Sequence, residues 1–432
     1  MASFPATTCR VAGAAPFSFS GGTNDMTDTS CTRNDNLAWV AGSDAPEKGR
    51  VNLGFMPLSD AASLIVAATQ GFAQPYGLTL ELKRQTSWAG LRDRLQSGEL
   101  DAAHALYGQV YGTHLGLGGA PTEMAILMGL CQNGQAINLC EPLRRAGVTN
   151  ADALVAQVRQ RGAKLTFAQT FPTGTHAMWL NYWLAAHGIH PLEEVNTLVL
   201  PPAQMVRHLR SGQIDGFCAG GPWGALAVDE KQGFTLATSQ MIWPDHPEKV
   251  LACTRAFAER YPNTARALTM AVLEASRFID ASDENRRGTA RLISGGEYLD
   301  APLSAIEPRF LGLYEDGLGY AWRDAHPLRF FAGGEATMPW LSDGIWFMTQ
   351  FRRWGLLKED PDYLGVARQV HQLEGYREAA EALGIEVPAR PMRSSRLFDG
   401  RVWDGSDPAG YARSFAVHAH PSLTPLAADA RS

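Results

Sequence analysis

The sequence predicts an α/β protein folded as two similar lobes. Three observations carry this expectation. Residues 51–106 read strand, helix, strand, helix, strand. The rhythm returns later, where SGQIDGFCAG at 211–220 echoes SGELDAAHAL at 97–106. The chain has 432 residues, 45% of them hydrophobic, and single cores stop growing near ~250–300 residues.

The elements follow in order. Residues 1–50 are rich in Ser, Thr, Gly, Asp and Asn and read as a disordered N-terminal extension, with Met26 a candidate translation start. VNLGF at 51–55 is a strand; a loop at 56–59 leads into a helix at 60–70, with Ser59 or Asp60 as its cap. Leu78, Leu80 and Leu82 alternate in a half-buried strand. A loop carrying Trp88 opens an amphipathic helix at 89–97, Gly98 stops it, and a strand follows at 102–106. Strands joined by helices pair in parallel through right-handed crossovers, and ligands bind beyond their carboxyl ends. Ser59, Trp88 and Tyr107 fall at such ends.

After a strand at 124–130, the turn Asn133-Gly134 and Gln135 mark a crossing to the second lobe. There a helix at 152–161 precedes a strand at 164–168. Further on come the Pro201-Pro202 loop and its helix, a strand at 216–219 and the Gly220-Gly221-Pro222 loop. His246-Pro247-Glu248-Lys249 leads back into a strand at 250–254 of the first lobe, and residues 262–384 are mostly helical. The first lobe is therefore 51–134 with 241–384, and the second is 135–240. Residues 385–432, rich in Pro, Arg and Ser, read as an extended C-terminal tail anchored by residues such as Trp403 and Phe415.

The stretch FAQTFPTGTHAMWLNYWLAA at 167–186 organises the second lobe. It ends a strand, turns through Pro172 and Gly174, and starts a helix with Thr175 as the expected N-cap. A helix start exposes unpaired amides and a positive dipole end, which suits a small anion. His176 in the first turn adds a donor. An ordinary turn with a core histidine is the plainer reading of these residues alone.

Composition excludes several classes. The net charge is -6 and no basic patch points to direct nucleic-acid binding. The six cysteines form no CxxC pair or His-rich cluster, so no metal or other cofactor is expected. No apolar run reaches the ~18 residues of a membrane span, and the first residues do not read as a secretory signal. No membrane segment and a cytoplasmic location are expected. No Ser–His–Asp, Cys–His or paired-carboxylate arrangement converges on the cleft, so no catalysis is expected either.

PLSDAA, QTSW, NGQAI, FPTGTH, PPAQMV, DGFCAGGPW, IWPDHPEK, RRWGLL and YREAAEALG together resemble the nitrate/bicarbonate-binding protein family, over roughly 51–384. The resemblance implies a two-lobed class II periplasmic-binding-protein-like fold with the ligand in the inter-lobe cleft. Most of that family are secreted lipoproteins. The tail PMRSSRLFDGRVWDGSDPAGYARSFAVH and the unrecognised signal resemble instead the cytoplasmic nitrate/nitrite sensors of the NasS group. That implies a NasT-type antitermination regulator as partner, an RNA-binding protein released when the anion binds. A substrate-binding subunit of a nitrate ABC transporter is the alternative.

The family's nitrate positions fall on Trp88, Gln135, His176 and Lys249, with Gly174 and Thr175 adding backbone or hydroxyl donors. Position 249 holds lysine in nitrate binders and an acid in bicarbonate binders. Nitrate has three acceptor oxygens and no proton to donate, so its site should offer donors only. Bicarbonate would need an acceptor, and Lys249 favours nitrate or nitrite. Glu248 stands one position away and would put an acid in the cleft if the register shifted. Four heavy atoms limit affinity to roughly −6 kcal/mol, a Kd of order tens of micromolar. Tighter binding would need a desolvated Lys249 and a protonated His176.

Overall fold

The computed structural model describes residues 44–419. Residues 1–43 and 420–432, and with them Met26 and most of the expected extension, lie outside the described residues. Residues 44–50, grouped with that extension by composition, dock on the fold. The Glu47 carboxylate accepts the amides of Asn263 and Thr264 at 3.0 and 2.9 Å. It thereby satisfies the open start of the helix Pro262–Asp280. Lys48 pairs with Asp101 at 2.6 Å.

Ten strands build two five-stranded sheets. In chain order they are β1 (Arg50–Phe55), β2 (Thr79–Arg84), β3 (Ala102–Leu106), β4 (Met124–Gly129), β5 (Gln135–Cys140), β6 (Thr166–Gln169), β7 (Asn196–Val199), β8 (Gly216–Gly220), β9 (Gly233–Thr238) and β10 (Lys249–Thr254). One sheet has the order β2-β1-β3-β10-β4 and the other β7-β6-β8-β5-β9. β1, β3 and β8 are apolar and almost wholly buried because helices cover both faces, whereas β7, at an edge, is exposed along its length.

The expected parallel pairing holds for β1 with β2 and β3, and for β6 with β7 and β8. It fails at one strand in each sheet. β10 runs antiparallel between β3 and β4, and β5 antiparallel between β8 and β9. Each of these two strands arrives directly from the other sheet, without the helical crossover that parallel pairing requires. Its first residue therefore lies where its neighbours' last residues lie. Lys249 pairs with Leu106 at the end of β3, and Gln135 pairs with Gly220 at the end of β8.

Local departures from the expected elements have local causes. Tyr107 lies at the end of β3, as expected, and there opens a helix, Tyr107–His114, directly from the strand. Gly108 and Gly112 lower the helix propensity of that segment and hide it from a sequence reading. Thr175 is not the cap of the helix Thr175–Ala186. Gly174 takes that place without a side-chain bond, and Thr175 is the first helical residue. Neither Ser59 nor Asp60 caps the following helix; both fall inside a short 3-10 turn, Ser59–Ala61, which leads into the helix Ala62–Thr69.

The helix Leu341–Arg353 is buried along its whole length. Its Trp346 meets Trp179 and Trp243 at ring-centroid distances of 4.8 and 5.3 Å. Residues from 385 to 419 do not run extended over the surface. They form a short hairpin, Ser395–Arg396 with Val402–Trp403, and a helix, Pro408–Arg413. Arg393 grips Asp343 with two bonds of 2.9 and 2.7 Å, the Trp403 indole donates to Ser342 O at 2.9 Å, and Tyr182 donates to Asp399 at 3.0 Å. Trp403 and Phe415 are buried, each aromatic contributing about 1.5–3 kcal/mol by leaving water.

Candidate functional site

The site is built from strand ends. β1 runs into the turn holding Ser59 and Asp60, β3 carries His104 near its end, and β10 begins with Lys249. From the second sheet come Gln135 at the start of β5, Gly220 at the end of β8, and the loop after β6 that enters the helix Thr175–Ala186. The side chains of Trp88, Gln135, His176 and Lys249 are all buried.

Several of these side chains carry polar atoms without partners. The indole Nε1 of Trp88, the Thr175 hydroxyl, His176 Nε2 and both amide atoms of Gln135 are buried and have no hydrogen-bond partner among the described residues. A buried polar group left unpaired costs about 1–3 kcal/mol. Such a cluster in one cleft marks a place where a polar ligand supplies the missing bonds. The first-turn amides of the helix add further donors, with the positive end of its dipole behind them.

Distances bring most of these groups together. The Lys249 ammonium lies 5.8 Å from the centre of the Trp88 ring, and His104 lies 5.6 Å from that ring. A methyl carbon added to Gly220 would sit 3.0 Å from Asp60 Oδ2 and 3.7 Å from His176 Nε2, so the missing side chain keeps open a space that both sheets line. Lys249 Nζ is itself 2.8 Å from Asp60 Oδ2. Gln135 lines an adjoining cavity of ≈ 30 Å³ with Ser59, Gly221 and Thr238.

The cleft is not made of donors alone, which corrects the expectation drawn from nitrate chemistry. Asp60 and Glu248 are both buried beside Lys249 and both bond its ammonium. Glu248 enters without a register shift: it is the last loop residue before β10, and its other oxygen accepts the Trp179 indole at 3.4 Å. Asp60 Oδ1 accepts His104 Nε2 at 2.8 Å. Every oxygen of the two carboxylates is thus engaged by a protein donor, while one of the three ammonium hydrogens of Lys249 stays available.

Electrostatics sharpen the picture. Burial raises the Asp60 carboxyl, but Lys249 and His104 outweigh it and hold that group below the ordinary carboxylate range. Burial dominates at Glu248 and pushes it up to about 7 against the pull of Lys249. Burial, then Lys249, push His176 well below the usual imidazole range. His176 is therefore neutral, not the cation that tight binding was expected to use. Its Nδ1 lies 2.6 Å from the Thr170 hydroxyl; when that hydroxyl donates, Nε2 carries the hydrogen and faces the cleft as a donor.

The two sheets meet closely around this cleft. The Ser59 amide donates to Gly221 O at 2.8 Å. A Cβ on Gly108 would lie 2.2 Å from Thr173 O, and one on Gly112 would lie 2.4 Å from Thr173 Oγ1. These two glycines cut a notch in the helix Tyr107–His114 that seats the loop of FPTGTH.

A profile of the NMT1-like family matches residues 44–294. The chain is 36% identical over 393 residues to the nitrate/nitrite binding protein NrtA of Synechocystis sp., covering 88% of this chain and 87% of that protein. The chain belongs to the NMT1-like family and, within it, to the nitrate/bicarbonate-binding proteins. The crystal structure of the periplasmic nitrate-binding protein NrtA from Synechocystis superposes with a TM-score of 0.82 at 34% identity, over 86% of this chain and all of that one. The fold is thus that of the periplasmic binding proteins. The bicarbonate transport ATP-binding protein CmpC of Synechococcus elongatus is 34% identical over 388 residues, 89% of this chain and 57% of that protein.

Sequence reasoning missed Asp60 and His104 as parts of the site, along with the notch at Gly108 and Gly112. Asp60 had a signal, since it lies in PLSDAA at a strand end, but the cap role absorbed it. His104 is the one ionisable residue inside the apolar strand AAHAL, a position that asks for a buried partner.

Proposed function

We propose that the cleft binds nitrate or nitrite and that the chain is the substrate-binding component of an importer of that anion. One observation carries the reading. Unpartnered donors from Trp88, Thr175, His176, Gln135 and the free hydrogen of Lys249 converge at a helix start, while the carboxylates beside them have their oxygens already bonded. A planar anion that only accepts fits this supply. Gly174 contributes as the cap that leaves the first-turn amides open. The named relatives, nitrate/nitrite binding proteins, point the same way.

The sensor reading, in which anion binding in the cytoplasm releases a NasT-type antitermination regulator, is supported by the resemblance of residues 391–418, whereas the relatives compared favour transport. Subcellular fractionation and co-purification with the regulator, with and without nitrate, separate the two. Calorimetric titration with nitrate, nitrite, bicarbonate and chloride tests the ligand itself. Nitrate or nitrite binding at tens of micromolar or tighter is expected, and preference for bicarbonate would overturn the assignment.

A further inference from the structure

The charges buried around the anion position do not balance for an incoming anion. Lys249 supplies one positive charge, and Asp60 and Glu248 supply two negative ones when both are ionised. The histidines add none. His104 Nδ1 accepts the Met56 amide at 3.4 Å and Nε2 donates to Asp60, so that ring is neutral. His246 donates from Nδ1 to Pro247 O at 2.9 Å, and its Nε2 lies 2.7 Å from the Ser239 hydroxyl, which also accepts the backbone N–H of Gln135. His176 is neutral as described. Arg393, whose charge reaches His246, is spent on Asp343. A monoanion entering this dry cluster would bring its net charge to minus two, which low-dielectric surroundings penalise heavily.

We propose that Glu248 takes up a proton as the anion enters, so that the cleft binds an anion and a proton together. This rests on the proposed anion site. Around Glu248, burial and Asp60 favour the neutral form, and Lys249 and the Trp179 indole oppose it. Lys249 and the Trp179 indole contact it directly, Asp60 repels it, and the thiols of Cys131 and Cys218 nearby are held protonated by burial. Burial and the incoming negative charge both push Glu248 towards protonation. His176 is the rival acceptor, but burial and Lys249 work against a charge there and outweigh the pull of Asp60. The step is simple in balance: one proton from solvent adds to a Glu248 oxygen, Lys249 keeps Asp60, and its freed hydrogens turn to the anion.

Isothermal titration of the whole chain with sodium nitrate at pH 8, in phosphate and in Tris, counts protons from the buffer dependence of the enthalpy. Close to one proton taken up per nitrate is expected, with affinity falling about tenfold per pH unit as pH rises above neutrality. Glu248→Gln should remove both the uptake and the pH dependence. Nitrate binding without proton uptake would overturn this proposal while leaving the anion site standing. Uptake that persists in Glu248→Gln would also overturn it and assign the proton to His176. Absence of nitrate binding at any pH would overturn both.

Discussion

The Lys249 ammonium meets Asp60 Oδ2 at 2.8 Å with neither side chain more than 4% exposed. Lys249 therefore holds the fold, besides its proposed part in the anion site. Lys249→Ala should abolish nitrate binding and also destabilise the protein by about 3–5 kcal/mol, because it leaves a buried carboxylate without its partner. The double variant with Asp60→Asn should recover much of that stability without recovering binding. Urea denaturation and calorimetry on the two variants check both parts; a single variant as stable as the parent would contradict the pairing.

Trp88 offers the complementary case. Its indole N–H has no protein partner, so Trp88→Phe costs the empty fold no hydrogen bond, only part of the packing of a fully buried ring. Stability should fall by about 1–3 kcal/mol through lost packing, while nitrate affinity should fall roughly 10- to 100-fold through loss of one charge-assisted bond. Equal affinity in the variant would place the anion away from this ring.

The notch predicts a steric lever. Gly112→Ala puts a methyl carbon 2.4 Å from Thr173 Oγ1, a distance that forces the two parts to separate. The variant should weaken nitrate binding and raise the radius of gyration in small-angle scattering, with each lobe's helical circular dichroism unchanged. Gly98→Ala, where nothing lies within 4 Å, serves as a control for a loop glycine without a neighbour.

Acid should unfold the protein early. Burial lowers His104 and His176, and it takes His246 to about 3 and His371 to about 4. Each group binds its proton more readily when unfolded, so stability is lost as pH falls below the unfolded value near ~6.5. Glu248 has the opposite sign. Its folded pKa of about 7 lies above the ordinary carboxyl value of 4.5, so it adds stability as pH falls through that interval. The histidines outnumber the glutamate, so on balance stability falls as pH drops below ~6.5. Thermal melts from pH 7.5 to 5 measure it; a flat profile would mean the histidines are solvated.

Much of this was legible in the chain. Apolar alternation and glycine stops placed most strands within a residue or two, because local pattern decides them. FPTGTH announced a helix start that could hold an anion. What stayed hidden depends on contacts distant in sequence. The reversal of β5 and β10 follows from where the chain comes from, not from its residues. Asp60 looked like a cap because its true partners lie 44 and 189 positions away. The helix Tyr107–His114 was masked by the two glycines that let it touch Thr173.

The reversed strands have a mechanical consequence. Gln135 and Lys249 stand where the chain, having crossed from the other half of the molecule, enters its new sheet, so the amide and the ammonium sit at the two crossings themselves. Were the halves to rotate about those crossings, a bound ion would lose contacts from both sides at once, and its release would need no separate trigger.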